Sequence, residues 1–242
     1  MKIALVSDMH LSMKEQYFRG VDVKKNFLEV LSEVKNNDPE LLIYMGDFCM
    51  DEPEPEVYHW VKKETDALNT TTFAIPGNHD DQSILAKTFS LPFIPETGEI
   101  CYGLDLGFVF LLFSDSSKAT ISNDQLKWLI ENCSDEKPVL WFTHYPPVKC
   151  GCLYMDTNHG FIDSDKNLHF LRKKHTIEHI YCGHYHTGKD LKWEEISIHI
   201  TPSTCFQVDE NSNDMVIHST KPGYRVITLE DGYIDNNYIF LG

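Results

Sequence analysis

The sequence predicts an α/β protein, and two observations carry this prediction. Short runs of apolar, β-branched or aromatic residues recur along the chain, and segments with helical periodicity separate the early runs. Strands that alternate with helices are typical of βαβ units, in which helices cover a sheet. The chain has 242 residues, of which 42% are hydrophobic. It can therefore bury a large core, and we expect one domain over residues 1–242.

The predicted strands fall into two groups along the chain. The earlier runs are continuously apolar, which is typical of strands buried on both faces: IALVSD, LLIYMGD, TTFAIPG, FVFLLFSD, VLWFTH and HIYCGH. The later runs alternate more between apolar and polar residues, so we expect them nearer the edge of a sheet: SIHITPS, YRVITLE and YIDNNYIF.

Helices are predicted between the early strands from apolar residues that recur on one face. The first helix carries Val23, Phe27, Val30, Leu31 and Val34, and the second carries Val57, Trp60, Val61 and Leu68. Ser122, followed by Gln125, is typical of a capping box at the start of a third helix. The segment 146–163 is the longest irregular stretch, and a loop of that length is often functional.

Charge and composition exclude several classes of partner. The formal net charge of −16 repels polyanions, so we expect no nucleic-acid polymer as a partner. No apolar run is long enough to span a bilayer, and the first residues lack the features of a signal peptide. The seven scattered cysteines favour reduced thiols in the cytoplasm. The oligomeric state stays open.

Five short polar motifs each follow a predicted strand. They are Asp8-Met9-His10, Gly46-Asp47, Gly77-Asn78-His79-Asp80, Thr143-His144 and Gly183-His184-Tyr185-His186. Each motif alone has an ordinary explanation as a turn or a packed histidine. However, open α/β sheets place ligand sites at the carboxyl ends of their strands, where residues distant in sequence converge. Together the motifs predict a metal centre.

The donor set indicates which metals and which kind of site to expect. Two carboxylates, one amide and four imidazoles form a mixed nitrogen and oxygen set, which suits manganese, iron or zinc better than calcium or magnesium. If one carboxylate is shared, these groups make two four-ligand shells with positions left for water. Open positions are typical of catalytic rather than structural metal sites.

The five motifs, in this order, resemble those of the calcineurin-like metallophosphoesterases: Asp-x-His, Gly-Asp, Gly-Asn-His-Asp, a lone His and Gly-His-x-His. They extend from Asp8 to His186. Three other segments are similar to segments of the class III cyclic-nucleotide phosphodiesterases in that family. These segments are THYPP, TPSTCFQ at 201–207 and PGYRVITL at 222–229.

The resemblance implies a fold and a role for each motif residue. The implied fold is a four-layer αββα sandwich of two mixed β-sheets. The implied ligands of one ion are Asp8, His10, Asp47 and His186, and those of the other are Asp47, Asn78, His144 and His184. Asp47 would bridge two transition-metal ions, iron or manganese, with zinc as the alternative. Asn78 and His79 would contact the substrate, with His79 as the catalytic residue beside the phosphate.

The expected function is hydrolysis of a small phosphodiester, in particular a 3′,5′-cyclic nucleotide such as cyclic AMP, to the 5′-monophosphate. A hydroxide held between the two ions would attack phosphorus. A phosphohydrolase of the same fold acting on another phosphodiester or a phosphomonoester is the first alternative. A non-catalytic scaffold is the second, but it would have damaged ligand positions, and all seven are intact.

Four side-chain roles stay open at this point. Asp80 either orients His79 or is a turn residue. The segment 146–163, which includes His159, and the residues around Phe206 are candidates for recognising a base. Phe206 either stacks on a ligand or packs in the core. Histidines outside the motifs, including His179 and His199, are expected at the surface or at sheet edges.

Overall fold

The computed structural model of the protein describes residues 1–230 and 232–242. Its helices are α1 (Val23–Asn37), α2 (Pro55–Asp66), α3 (Gln82–Phe89), α4 (Asn123–Asn132), α5 (Leu153–Asn158) and α6 (Ser164–Lys173). Its strands are β1 (Lys2–Val6), β2 (Tyr17–Phe18), β3 (Val21–Asp22), β4 (Leu41–Tyr44), β5 (Thr71–Ala74), β6 (Tyr102–Asp105), β7 (Phe110–Phe113), β8 (Val139–Phe142), β9 (Ile177–Cys182), β10 (Lys189–Trp193), β11 (Ile196–Ile200), β12 (Gln207–Val208), β13 (Ile217–Ser219), β14 (Gly223–Glu230) and β15 (Tyr233–Phe240).

The strands form two large mixed sheets and two short ribbons. The first sheet has the order β15-β14-β1-β4-β5, in which β1, β4 and β5 are parallel and β14 and β15 are antiparallel. The second has the order β10-β11-β9-β8-β7-β6, with antiparallel strands only at its two edges. The central strands β1, β4 and β8 are almost entirely buried, which explains their continuous apolar runs.

Aromatic contacts show that the two sheets pack face to face with helices outside them. On the outer side of the first sheet, the ring of Phe27 in α1 lies 6.4 Å from that of Tyr44. On the outer side of the second, Phe170 in α6 lies 5.1 Å from Trp141. Between the sheets, Phe73 lies 5.7 Å from Phe113. The four-layer αββα arrangement is confirmed.

The predicted helices form in the segments that the sequence indicates, but α2 ends at Asp66, before Leu68, and one cap differs from the expected one. Asp22 accepts a hydrogen bond from Lys25 N at 3.0 Å and begins α1. Ser122 accepts one from Gln125 N at 3.0 Å and begins α4. The Gln125 side chain does not complete a capping box, because it exchanges two hydrogen bonds of 2.7 Å with the backbone of Asp115.

The segment 146–163 is not the continuous irregular loop that the sequence suggested, because α5 forms within it. The carboxylate of Asp156 accepts hydrogen bonds from the backbone N–H groups of Cys150, Gly151 and Cys152 at 2.7–3.0 Å. This carboxylate folds the chain before α5 into a tight turn. All seven cysteines of the protein are buried free thiols. None of the helices in residues 1–230 and 232–242 is long and apolar enough to cross a membrane.

Candidate metal centre

The five polar motifs meet at one rim, because the strands that precede them end there in both sheets. Backbone hydrogen bonds join the loops: Asp8 N donates to Gly46 O at 3.0 Å, and Gly183 N donates to His144 O at 3.0 Å. Ser203 Oγ donates to the carbonyl of Asp8 at 2.9 Å. Residues almost two hundred positions apart are therefore fixed next to one another.

An unusual backbone conformation recurs in these loops. Five of the predicted ligands have left-handed φ values: Asp8 (54°), His10 (46°), Asp47 (55°), His184 (64°) and His186 (48°). Positive φ is uncommon for residues with a Cβ atom, and such conformations cluster at functional sites. The strain turns these side chains inward at the strand ends.

Three motif glycines are required by the close approach of the loops. A Cβ atom on Gly77 would lie 2.1 Å from Asp47 Oδ1. A Cβ atom on Gly183 would lie 2.1 Å from Ser7 Oγ. Gly46 has a φ of 101°, and its Cβ would lie 2.6 Å from His144 Nδ1. Side chains at these positions would push the ligand loops apart.

The first cluster contains Asp8, His10, Asp47 and His186, all buried, with donor atoms within 4.8 Å of one another. The Nε2 atoms of His10 and His186 are 3.0 Å apart. His10 Nε2 lies 3.6 Å from Asp47 Oδ2, and His186 Nε2 lies 3.5 Å from Asp8 Oδ1. One ion can contact all four donors.

The second cluster contains Asp47, His144 and His184, which are also buried and within the same donor distance. His144 Nε2 lies 3.3 Å from Asp47 Oδ2. Asp47 therefore belongs to both clusters, as a bridging carboxylate would.

The hydrogen bonds of the four imidazoles show which ring nitrogen carries the proton, and therefore whether metal ions fit the two clusters. Each ring donates one N–H to a backbone carbonyl: His10 to Met50 (3.2 Å), His144 to Met45 (2.7 Å), His184 to His159 (3.1 Å) and His186 to Phe206 (3.2 Å). A carbonyl can only accept, so the other nitrogen of each neutral ring offers a lone pair to a metal. Facing lone pairs at 3.0 Å, as on His10 and His186, repel each other unless a cation binds both.

The Nε2 atom of His144 also indicates that metal ions fit the two clusters. Among the described residues, the buried His144 Nε2 has no hydrogen-bond partner of acceptable geometry. Buried polar atoms without partners are rare and point to an ion or ligand. The two clusters therefore fit a dinuclear metal centre.

Burial and charge set the protonation of the cluster. Burial lowers the pKa of His10 to about 4 and those of His184 and His186 well below the usual value. These rings are neutral and ready to bind a metal. Burial raises the pKa of Asp8 to about 7. Burial opposes a charge on His144, but the carboxylates of Asp47 and Asp8 outweigh it and raise the His144 pKa to about 9.

The pKa of Asp47 shifts in the opposite direction from that of Asp8. Burial alone would raise its pKa, but the neighbouring rings of His144, His10 and His79 hold it well below the ordinary value. The shared carboxylate is therefore ionised at neutral pH.

Asn78 and His79 line a cavity of about 330 Å³ together with His10, Asp47 and His184. His79 N donates to Asp47 Oδ1 at 3.0 Å, and His79 Nδ1 donates to the carbonyl of Asp51 at 3.0 Å. The Nε2 atom of His79 is thus left for a ligand in the cavity.

Asp80 has a role that neither of the two alternatives described. Its carboxylate accepts hydrogen bonds from Phe48 N (3.0 Å), Gly77 N (2.8 Å) and the Tyr58 hydroxyl (3.1 Å). It ties the loop of Asp47 to the loop of Asn78. The ring of His79 is held by the carbonyl of Asp51 instead.

Two short elements form walls of the cavity; the sequence indicated the segment 146–163, which contains the second of them, but not the first. One is the β2–β3 hairpin, which contributes Phe18 and Arg19, and the other is α5, which contributes Tyr154 and Met155. Phe206 also lines the cavity while its ring packs 4.6 Å from His186. The hairpin strands have two residues each, too short for a periodicity. The residue pair Arg19-Gly20 between apolar neighbours was the available turn signal.

A protein-family model for the calcineurin-like phosphoesterases matches residues 1–188, a range that contains all five motifs. The chain belongs to the calcineurin-like phosphoesterase family. The expected family is thereby confirmed. The phosphoesterase also resembles a dimetal phosphatase from Danio rerio, with a TM-score of 0.72 and 13% identity over 99% of this chain and 98% of that one. At this identity the likeness shows the fold.

Sequence relatives of this phosphoesterase fall into two groups by their names. A protein of Fibrobacter succinogenes named a probable cyclic nucleotide phosphodiesterase is 30% identical over 241 residues, 99% of this chain and 94% of that protein. The 3′,5′-cyclic adenosine monophosphate phosphodiesterase CpdA of Escherichia coli K12 is 25% identical over 94% of this chain and 85% of its own. A probable glycerophosphodiester phosphodiesterase, GpdQ of Arcobacter nitrofigilis, is 28% identical over 86% and 80%.

Proposed function

We propose that this phosphoesterase is a dinuclear-metal phosphodiesterase that hydrolyses a 3′,5′-cyclic nucleotide, such as cyclic AMP, to the 5′-monophosphate. The observation that carries the proposal is the pair of buried donor clusters that share Asp47 and open into one small cavity. The full-length similarity to two proteins named as cyclic nucleotide phosphodiesterases supports this substrate class.

The proposed ligands follow the two clusters. Asp8, His10, Asp47 and His186 would hold one ion, and Asp47, Asn78, His144 and His184 the other. Iron or manganese suits this nitrogen and oxygen set, with zinc as the alternative. Two divalent ions bound here would lower the pKa of a water molecule and neutralise charge on the phosphoryl oxygens.

The protein's own groups orient the substrate and move a proton. His79 Nδ1–H is held by the Asp51 carbonyl at 3.0 Å, so the ring presents Nε2 to the cavity. When the ring is doubly protonated, Nε2–H can be donated to the leaving ribose oxygen as the phosphorus–oxygen bond breaks. Asn78 offers an amide to the phosphoryl group from the same loop.

The size and charge of the protein favour a small substrate. A cavity of about 330 Å³ is at the small end of the range for small-molecule sites, and a net charge of −16 opposes a polyanion. The buried free cysteines support a reducing, cytoplasmic compartment as part of this proposal.

A second candidate substrate is a glycerol-type phosphodiester, because the similarity to GpdQ covers 86% of this chain. The metal centre would act in the same way on either phosphodiester. A non-catalytic scaffold is not favoured, because every proposed ligand position keeps a residue able to bind metal.

The substrate proposal is tested by comparing kcat/KM values of the manganese-loaded protein. The substrates are cyclic AMP, cyclic GMP, 2′,3′-cyclic AMP, glycerophosphoglycerol and bis(p-nitrophenyl) phosphate. We expect the highest value for a 3′,5′-cyclic nucleotide, with the 5′-monophosphate as product. A higher value for glycerophosphoglycerol would replace cyclic nucleotides with the second candidate.

His79→Ala tests the proposed acid. It should lower kcat by roughly 10²- to 10⁴-fold, the usual contribution of a general acid, and leave the metal content unchanged. The matched control is His59→Ala, because His59 is an exposed residue of α2. Retained activity in His79→Ala would remove this residue from the mechanism.

A further inference from the structure

A short β-hairpin overhangs the candidate metal centre. Phe18 pairs with Val21 across the hairpin, and Arg19 and Gly20 at its tip have φ values of 49° and 85°. Two consecutive residues with positive φ form the tight turn whose twist matches a hairpin. Phe18 stacks on His10, with ring centroids 5.2 Å apart and planes inclined by 21°. The hairpin is therefore attached to a residue of the first cluster.

The guanidinium of Arg19 lies beside two aromatic rings at the hairpin tip. Its Cζ atom is 5.6 Å from the ring centroid of Phe18 and 6.0 Å from that of Phe206. Within the described part of the chain, Arg19 forms no ion pair and its side chain donates no hydrogen bond. A guanidinium with rings on one side keeps its other side and its five N–H donors for a ligand.

The surroundings of Arg19 make it distinct within the cavity. It is the only lysine or arginine among the lining residues, all of which lie in the described range 1–230. Apolar side chains form part of the wall of the cavity: Phe18, Met155, Phe206, Val208 and Met215. Of these, Phe18 and Phe206 lie beside Arg19. One cation next to an apolar wall suits a flat, uncharged, aromatic group.

Arg19 is linked to the first cluster through two aromatic rings. Phe18 and Phe206, the two rings beside its guanidinium, pack on His10 at 5.2 Å and on His186 at 4.6 Å. A phosphoryl group held at the clusters would therefore place the rest of the substrate, rather than its charge, near Arg19.

We propose that Arg19 is a specificity-determining residue that stacks on the nucleobase of the substrate and selects nucleotide phosphodiesters over glycerol-type ones. The proposal rests on the proposed function and adds a subsite to it. Guanidinium groups stack on flat π systems, and every base offers such a face.

The test compares Arg19→Ala, Arg19→Lys and the control Arg172→Ala on two substrates. Arg172 is an exposed residue of α6, so its removal makes the same change in net charge. Arg19→Ala should raise KM for cyclic AMP so that kcat/KM falls about 10-fold, within the range for loss of one base-stacking contact. It should change kcat/KM for glycerophosphoglycerol by less than about twofold, because that substrate has no ring to stack. Arg19→Lys should restore only part of the loss, because lysine keeps the charge without the plane.

A second measurement separates this proposal from the substrate proposal. Inhibition of bis(p-nitrophenyl) phosphate hydrolysis by 5′-AMP and by ribose 5-phosphate reports base recognition without turnover of a cyclic nucleotide. Arg19→Ala should weaken inhibition by 5′-AMP about 10-fold, as expected for a lost stacking contact, and leave that by ribose 5-phosphate unchanged. Equal losses for both inhibitors would show general attraction of phosphate, and no loss would show that Arg19 does not contact ligands. Either outcome overturns the proposal.

Discussion

The loops that carry the metal-binding residues and the two walls of the cavity are built in contrasting ways. The ligand loops follow strands of the two large sheets, and their Asp and His side chains in the two clusters are buried, with each of the four cluster imidazoles held by a backbone carbonyl. The walls come from a hairpin with two-residue strands and from the six-residue α5, and they carry exposed side chains such as Tyr17 and Leu153. The sheets therefore fix the two donor clusters, whereas small peripheral elements form the walls of the cavity, where we propose that the substrate is selected.

The two walls are also attached to the metal centre by different forces. The hairpin is attached by an apolar stack, Phe18 on His10. Helix α5 is attached by polar contacts: His159 O accepts from His184 Nε2 at 3.1 Å, and Asp156 accepts from the Tyr185 hydroxyl at 2.9 Å. Changes in the walls should therefore affect KM more than metal binding, and changes in the loops should do the reverse.

The largest effect is expected for Asp47→Ala in the loops. The change removes the carboxylate common to both clusters and leaves His10 and His144 without its charge. Activity should fall by more than roughly 10³-fold, beyond the 10- to 100-fold typical of residues that only support a ligand. Metal analysis should show the loss of at least one ion per chain.

Asp105→Ala is the control for Asp47→Ala. Asp105 pairs with Lys137 near the turn between β6 and β7, far from the strand ends that carry the ligands. The Asp105→Ala variant should keep its metals and its activity. Full turnover by Asp47→Ala would contradict the bridging role and remove the contrast between loops and walls.

A change of pH should have an intermediate effect, on metal affinity. This effect also acts through residues of the ligand loops. The pKa of Asp8 is raised to about 7 and that of His144 to about 9, so both groups hold protons that a metal must displace. Affinity for manganese should therefore rise with pH, by roughly tenfold per pH unit for each proton displaced, and level off above about pH 9.

Calorimetric titration with manganese in two buffers of different ionisation enthalpy would count the protons released. We expect the number released to fall as the pH rises from about 6 to 9, since proton release accompanies metal binding. An affinity that is constant over this range would show that the pKa values of Asp8 and His144 do not govern loading.

The smallest effect is expected for Tyr185→Phe, which acts on a wall. The change keeps the buried ring and removes its hydrogen bond to Asp156, worth about 1 kcal/mol. Because Asp156 keeps its three backbone donors, α5 should loosen only slightly. KM should rise a few-fold, with the metal content and kcat unchanged.

Tyr233→Phe is the matched control for Tyr185→Phe, because Tyr233 is 81% exposed. This variant should leave every kinetic constant unchanged. If Tyr185→Phe instead lost metal, the hydroxyl would support the ligands on either side of it. The separation between loops and walls would then not hold at this position.

The contrast also explains how much the sequence could predict. The Asp and His residues of the two clusters were predictable because each follows an apolar run that forms a strand of a large sheet, and the topology of the sheets brings Asp8 and His186 together. The hairpin wall was not, because Arg19 lies in no segment with a periodicity. The segment 146–163 was named as a candidate for recognising a base, but the helix within it, and so the position of Tyr154, depends on tertiary packing. The structure brings both elements to the cavity through contacts that no local pattern encodes.

One prediction about histidines was wrong for a similar reason. His199 was expected at the surface or an edge, but it lies in β11, inside the second sheet, and is buried. Asp190 on β10 accepts a hydrogen bond from His199 Nδ1 at 2.7 Å, and His179 on β9 lies 2.9 Å from His199 Nε2. The polar partners come from neighbouring strands, and strand order cannot be deduced from composition.

The position of β1 between β4 and β14 has a consequence for biosynthesis. Asp8 and His10 leave the ribosome early, and β4 follows soon after, but the second neighbour of their strand, β14, is missing until residues after 222 have been made. Ser203 and Thr204, which hold the backbone at Ser7 and Asp8, also arrive late. We therefore expect the rim to be completed, and metal to be acquired, only when synthesis is nearly finished.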